Sequence, residues 1–436
     1  VPRRFSRRVA STEAGDLPEH GEAGKPSSPR QPSFTTRLEH YVSTKLALAR
    51  RQLSSILESL MLRPAKALLA TSFAVALTTP GFAQDVTQSE QESFTVETLA
   101  EGLAYPWSLA FLPSGDMLVS EREGALRVIT ADGLRETPVT GLPEDLLAER
   151  QGGLLDIVPA PDFAESRFLY FTYSEGTVDA NRTVLARGQL NSDLTALSDV
   201  EDLFKVNFEK ARGFHFGGRI LFNPDGTLFV TLGDGGRYQD EAQNPENHLG
   251  TVVRLNLDGS IPEDNPVIEG GAPGIYSYGH RNVQGIGRHP ETGSVIAHEH
   301  GARGGDEVNI LQAGANYGWP VITYGINYNG SIITEDREAD GLEQPIWYWN
   351  PSIAPAGLAF YDGEAFENWR GDLFVSALAG MTLQRLEMDG DRVISSEDLL
   401  TEREQRFRDV RVGPDGAVYV LVDDLEGSVL RLSPAE

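Results

Sequence analysis

Cysteine is absent from the 436 residues, which removes disulfides, thiolate nucleophiles and thiolate metal ligands from consideration. A chain of this length can bury a large core without covalent staples, so an oxidising compartment stays open to it. Positive charge is scarce: 37 Lys and Arg stand against 64 Asp and Glu, for a net charge of −27. That balance argues against a nucleic-acid partner and against adhesion to an anionic membrane. The apolar run Ala67–Leu77 falls well short of a membrane span of roughly 20 residues. Nucleotide and hydrolase signatures are missing as well. Gly285-Ile286-Gly287 runs into Arg288-His289-Pro290 rather than a dinucleotide-binding turn, and there is no Gly-x-Ser-x-Gly elbow or Walker loop. What the chain does have is 45 glycines and 25 prolines, which call for many tight turns, as in an all-β protein.

The first 83 residues are a different material. Residues 1–37 combine clustered arginines with Pro/Ser/Gly-rich text, and Leu38–Leu60 reads as an amphipathic helix. Met61-Leu62-Arg63-Pro64-Ala65-Lys66 is then a short basic start, Ala67–Leu77 an apolar centre, and Thr78–Ala83 a small-residue end before Gln84. That order is a secretory signal peptide over 61–83. The expectation is a periplasmic or secreted protein translated from Met61, with residues 1–60 a mis-assigned or disordered extension and 84–436 a single domain.

Beyond Gln84 helical periodicity is hard to find, and one phrase returns: a Pro, a turn, a Gly, then an alternating strand. It stands as Pro113-Ser114-Gly115, Pro224-Asp225-Gly226, Pro290-Glu291-Thr292-Gly293 and Pro414-Asp415-Gly416, each followed by apolar β-formers. Weaker versions begin at Ser166 and Gly371, so the phrases recur 45 to 78 residues apart. A degenerate repeat of paired strands predicts a six-bladed β-propeller of four-stranded antiparallel blades around a central channel. A two-sheet sandwich gives no reason for so long a period. Ser93–Leu99 is a strand left over at the front and is expected to close the ring by pairing with the last blade.

The chemistry-bearing residues cluster where strands run out into glycine-flanked turns. His215, among glycines ahead of a strand, is either an ordinary loop residue or a general base at a blade end. Arg281 and Asn282 either tie loops together or bind a carboxylate or oxyanion. His298 and His300 share a strand face, but a third zinc ligand at sensible spacing is missing. Asp306, Glu307 and Tyr317 offer hard oxygens suited to calcium, or else form a solvated turn. Arg406 and Arg408 alternate, so two guanidiniums on one face suit an anionic ligand or a pair of salt bridges.

Taken in order, these phrases resemble the soluble PQQ-dependent aldose (glucose-type) sugar dehydrogenases, which are six-bladed propellers. The resemblance spans about Leu99 to Leu432. It rests on Gln151-Gly152-Gly153-Leu154-Leu155, His215-Phe216-Gly217-Gly218-Arg219, Leu255-Asn256-Leu257-Asp258-Gly259-Ser260-Ile261-Pro262 and Gly279-His280-Arg281-Asn282-Val283-Gln284-Gly285. Asp306-Glu307-Val308-Asn309, Asn316-Tyr317-Gly318-Trp319-Pro320 and Arg406-Phe407-Arg408-Asp409 complete it.

The resemblance implies that His215 takes the proton from an aldose's anomeric hydroxyl while Arg281 stabilises charge on the quinone. It implies that Gln151 and Asn282 contact PQQ and that Arg406 and Arg408 bind its carboxylates. Backbone carbonyls of Gly301 and Ala302 would hold a catalytic Ca2+, and Glu307 with Tyr317 a structural one. Electrons would leave to an external quinone or cytochrome, from a monomer or homodimer. Two departures stand out: Ser376-Ala377-Leu378-Ala379-Gly380 replaces a phrase in which the family carries a lysine, and Phe214 stands where the strict glucose type has an acid. Trp347, Tyr348 and Trp349 are candidates for a sugar cleft. The rival functions are a calcium-dependent lactonase and a non-catalytic binding propeller.

Overall fold

The computed structural model describes residues 86–435; the segments read above as N-terminal extension and signal peptide lie outside the described residues. Six antiparallel sheets follow one another along this chain, five of four strands and one of five. Each of the six recurrent phrases supplies the second strand of a blade: Met117–Glu121, Phe168–Gly176, Thr227–Thr231, Val295–Glu299, Leu373–Ala377 and Val418–Val422. The inner strands just before them are Pro106–Phe111, Leu154–Pro159, Ile220–Phe222, Val283–Arg288, Pro355–Phe360 and Phe407–Val412. The leftover front strand runs Ser93–Leu103 and pairs with Gly427–Pro434, from Phe94 opposite Pro434 to Leu103 opposite Gly427. A short strand, Val86–Gln88, pairs outside it and makes this sheet the five-stranded one.

Burial explains the sequence pattern of each strand. Second strands such as Val418–Val422 are buried at every position because both of their faces pack against neighbouring blades, so they read as continuous apolar runs. The outer strand Arg392–Leu399 alternates exposed and half-buried positions along most of its length, and its sequence alternates with it. The apolar side chains gather in wedges between blades rather than in one central core. Leu118 and Val128 meet Ile157 and Phe171 between the first and second blades. Trp369 and Phe374 meet Phe94 and Phe407 between the fifth and sixth. The closing strand is pinned by this second wedge, with Phe94 edge-on to Trp369 at 5.7 Å.

The axis is polar, and one side chain organises it. Arg219, on the third blade, donates from Nε to the Gln284 carbonyl of the fourth at 2.8 Å and from Nη2 to the Ala356 carbonyl of the fifth at 3.2 Å. Its Nη1 lies 3.5 Å from Asp156 of the second blade and 3.0 Å from Asp409 of the sixth. Its guanidinium covers the Trp107 ring of the first blade at 4.1 Å. Asp156 in turn accepts from Ser108 Oγ at 2.6 Å and from the Ile220 N–H at 2.9 Å, while Asp409 accepts from the Leu109 N–H at 3.0 Å.

Five inner strands carry a register shift near their first residues, at Pro106/Ser108, Leu154/Ile157, Val283/Gly285, Pro355/Leu358 and Phe407/Asp409. A bulge turns an extra residue out of the ladder, and here the residues at or within the shifts include Trp107, Asp156, Gln284, Ala356 and Arg408. All five face the axis or the cavity above it. Substituting Arg219→Met leaves the buried Asp156 and Asp409 with Arg411 as their remaining cation, at 3.1 and 2.9 Å, and strips the Gln284 and Ala356 carbonyls of a donor; it is expected to cost about 1–3 kcal/mol in urea unfolding. Adding Asp156→Asn and Asp409→Asn to that variant removes both partners of Arg411 and is expected to deepen the loss.

Candidate active site

At the N-terminal ends of the inner strands the channel opens into a cavity of about 260 Å³. Part of its apolar surface comes from Trp107, Leu155 and Phe216, which pack together as one buried cluster, and Ala354 and Leu378 add to it. Arg122, Arg406 and Arg408 line it as well, and none of its lining residues is acidic. Gln151, Asn282 and Gln284 supply amides, and the His300 ring closes one side.

His215 is placed by an unusual piece of backbone. It sits at φ 49°, and Gly217 and Gly218 follow at 66° and 101°. A side chain at Gly217 would fall 2.5 Å from the Thr231 carbonyl, so only glycine allows this approach. Gln151 Oε1 accepts the His215 N–H at 2.8 Å, Asn282 Oδ1 accepts the Gly217 N–H at 3.1 Å, and Gln284 Nε2 donates to the Gly217 carbonyl at 3.0 Å. The polar residues expected to touch a ligand therefore also hold the histidine loop in place.

The His215 ring is oriented by Asp234, a residue not singled out from the sequence. His215 Nδ1–H donates to Asp234 Oδ1 at 2.6 Å, which fixes the proton on Nδ1 because an ionised carboxylate can only accept. Nε2 is then the basic nitrogen, and it has no hydrogen-bond partner among the described residues. Asp234 is itself held by the Gly236 N–H at 2.7 Å and the Trp319 Nε1–H at 2.9 Å. Burial raises the carboxyl's pKa, but His215, Arg281 and the Gly236 N–H together carry it below the ordinary value. Burial pushes the imidazole down; Asp234 opposes this and Arg281 reinforces it, and the net shift is downward. The signal for Asp234 was its turn, Gly233-Asp234-Gly235-Gly236, at the end of a second strand.

Arg281 joins the same group. Its carbonyl accepts the Asp234 N–H at 2.8 Å, and its guanidinium lies 5.3 Å from the Trp319 ring and donates to the His300 carbonyl at 3.1 Å. Glu299 anchors it by accepting the Arg281 N–H at 2.5 Å and the His280 Nδ1–H at 2.8 Å. Across the cavity Arg406 pairs with Asp423 at 3.1 Å, and Arg408 lies 3.5 Å from the same carboxylate. Arg408 is buried, its Nε has no hydrogen-bond partner, and burial pushes its pKa down.

A smaller recess adjoins, lined by Arg281, Glu299, His300, Gly301, Glu307 and Tyr317 among others. Gly301 borders this recess, and His300 borders both spaces. Ala302 packs beside it with Ala242 and Trp319. Glu299 and Glu307 face each other across paired strands, and burial plus the Glu299 charge push the Glu307 carboxyl up to about 8. The Tyr317 hydroxyl is spent elsewhere: it donates to the Ile310 carbonyl at 2.6 Å and accepts the Gln312 N–H at 2.9 Å. Among the described residues no cluster of three or more His, Asp or Glu side chains is set to hold a metal, so a cation here would draw on backbone oxygens too. Trp347 and Tyr348 line a separate surface cleft, whereas Trp349 is buried with its Nε1–H on Gln384 at 3.0 Å.

The family model described as glucose/sorbosone dehydrogenase matches residues 103–431. The aldose sugar dehydrogenase YliI of Escherichia coli is 44% identical over 345 residues, covering 78% of this chain and 92% of that protein. The crystal structure of the soluble E. coli aldose sugar dehydrogenase in its apo form superposes with a TM-score of 0.76 at 43% identity, over 78% of this chain and 100% of that one. The PQQ-bound form of the aldose sugar dehydrogenase of Streptomyces coelicolor matches with a TM-score of 0.64 at 26% identity, over 78% and 98% of the two chains.

In a histidine-resolved NMR titration His215 is expected to protonate below the ordinary value of about 6.5. Asp234→Asn removes the opposing charge and should lower that midpoint further, while Arg281→Gln should raise it.

Proposed function

Since the chain belongs to the glucose/sorbosone dehydrogenase family, we propose that it is a PQQ- and calcium-dependent dehydrogenase that oxidises aldoses at the anomeric carbon to lactones. The observation that carries this reading is a cation-lined cavity bordered by Phe216 and Gly217, the residues that follow the Asp-oriented His215, inside a protein of net charge −27. The residues present fit a flat polycarboxylate. The cavity has Trp107 and Phe216 on its walls and no acid in its lining, and the buried Arg408 Nε lacks a partner. They also fit a divalent cation, because the buried Glu299 and half-buried Glu307 are paired across strands beside the Gly301 backbone, with no arginine or lysine among the described residues in an ion pair with either.

When bound, the quinone would accept the hydride leaving the sugar, and calcium would supply Lewis-acid polarisation. His215 Nε2 takes the proton of the anomeric hydroxyl as that carbon is oxidised. Asp234 keeps the other ring proton on Nδ1 and stabilises the imidazolium that forms. Arg281 lies beside this pair and stabilises negative charge developing in the cavity. Arg406 and Arg408 would hold carboxylates of the cofactor, and Asn282 and Gln151 would contact it. The Gly301 and Ala302 carbonyls would be the ligands for the catalytic calcium, and Glu307 for a structural one. Tyr317 would join the latter through its backbone oxygen, since its hydroxyl is engaged. The electrons pass on to an external acceptor, and the signal-like segment 61–83 supports a periplasmic or secreted location.

Purified apoprotein given Ca2+ and an aldose is expected to reduce a dye only after PQQ is added. Lactone hydrolysis independent of PQQ would replace this reading with a hydrolase, and silence in both assays with a binding protein. His215→Ala should lower kcat by roughly 10²–10⁴-fold; near-normal turnover removes it as the base. Chelation should lower the thermal midpoint of the wild type, and Glu307→Gln should abolish the calcium-dependent part of that stability.

A further inference from the structure

Arg122 lines the cavity from the turn between the second and third strands of the first blade. Its backbone is fixed on both sides: its N–H donates to the Tyr105 carbonyl at 3.1 Å and its carbonyl accepts the Leu154 N–H at 3.2 Å. The fit against the next blade is close, because a side chain at Gly153 would sit 1.6 Å from the Arg122 carbonyl and 3.1 Å from its Cγ. The guanidinium lies over the Tyr105 ring at 4.6 Å. It makes no ion pair and no hydrogen bond with any described residue, in a protein where acidic residues outnumber basic ones by 64 to 37. Arg406 and Arg408 on the same cavity share one carboxylate, Asp423.

A half-buried arginine among other arginines raises the electrostatic energy of the empty site unless an anion relieves it. From this geometry we infer that Arg122 is an additional anion-binding residue of the cavity, contacting a carboxylate of the cofactor. This rests on the reading of the cavity as a quinone site. In this chain the charge comes from the first blade, while the fifth-blade phrase Ser376–Gly380 offers none. The paired glycines at 152 and 153 thus act on two sides. They follow Gln151, which holds the His215 loop, and Gly153 makes room for the turn that carries Arg122.

The test is equilibrium binding of PQQ to apoprotein, followed by its absorbance and by quenching of protein fluorescence, with no sugar present. Arg122→Gln is expected to weaken binding by at least about tenfold and to reduce the dependence of affinity on salt. Arg122→Lys, which keeps the charge and loses the fork, should fall between the two. The methyl-esterified quinone, bound more weakly by wild type, should be insensitive to Arg122→Gln. Apoprotein thermal midpoints check that the variants are folded; should Arg122→Gln not fold, the graded loss in Arg122→Lys decides. Wild type that binds PQQ while both variants bind it equally well overturns the role of Arg122 alone. Wild type that takes up no PQQ removes the quinone reading and this inference with it.

Discussion

A single guanidinium on the propeller axis touches every other blade at once, where the apolar wedges between neighbours give way to polar contacts. Arg219 reaches two carboxylates, backbone carbonyls on three other inner strands and one indole, so every blade bears on it. Hydrophobic wedges are tolerant of small slips between neighbours, whereas a fully buried cation with directional donors is not. The network therefore sets how the six inner strands stand to one another, and with them the residues at their upper ends. Trp107 lies between the two regions, with Arg219 against its ring below and the cavity bordering it above. The cavity floor is accordingly the top of the structural hub.

The cavity inverts the charge of the protein around it. Acidic residues are abundant in the sequence yet absent from the lining, where Arg122, Arg406 and Arg408 stand with Asp423 as the shared counterion of the latter two. Burial lowers the pKa of Arg408 and leaves its Nε without a partner. Such a site is costly when empty and gains from a polyanion. In the adjoining recess the balance is reversed, with Glu299 buried and Glu307 half-buried beside it, next to the Gly301 loop. Arg281, held by Glu299 and next to Asp234, lies at the border between the cation-rich and anion-rich halves.

The architecture was legible because propeller blades repeat. The Pro-turn-Gly-strand phrase marked four second strands and weaker versions at Ser166 and Gly371 the other two, since each sits in the same doubly packed environment, and the unpaired Ser93 strand marked the closure. His215, Arg281 and Asn282 stood out as glycine-flanked residues at strand ends, Arg406 and Arg408 as an alternating pair, and Gln151 through the family resemblance alone. What could not be read were pairings between distant segments. Asp234 orients His215 from another loop, Arg219 looks like one more residue of a motif until its six-way contacts are seen, and Arg122 sits in an ordinary hairpin turn. Tyr317 kept its place beside the acidic recess, but its hydroxyl is committed to the Ile310 carbonyl. Among three adjacent aromatics, alternation turns Tyr348 outward and sends Trp347 and Trp349 to one apolar cluster, and Trp347 still borders the surface cleft with Tyr348.

Ring closure places the first long strand and the last one in the same sheet, with Phe94 opposite Pro434. Residues at opposite ends of the described chain must find each other before the final blade exists, which gives the molecule a high contact order and a late, entropically demanding step. Until then Phe94 cannot shield Trp369, and an incomplete ring presents unpaired edge strands to other chains. A molecule built this way acquires its native state only once its C-terminal strand is free to join, so emergence from a ribosome or a translocation pore delays assembly to the very end.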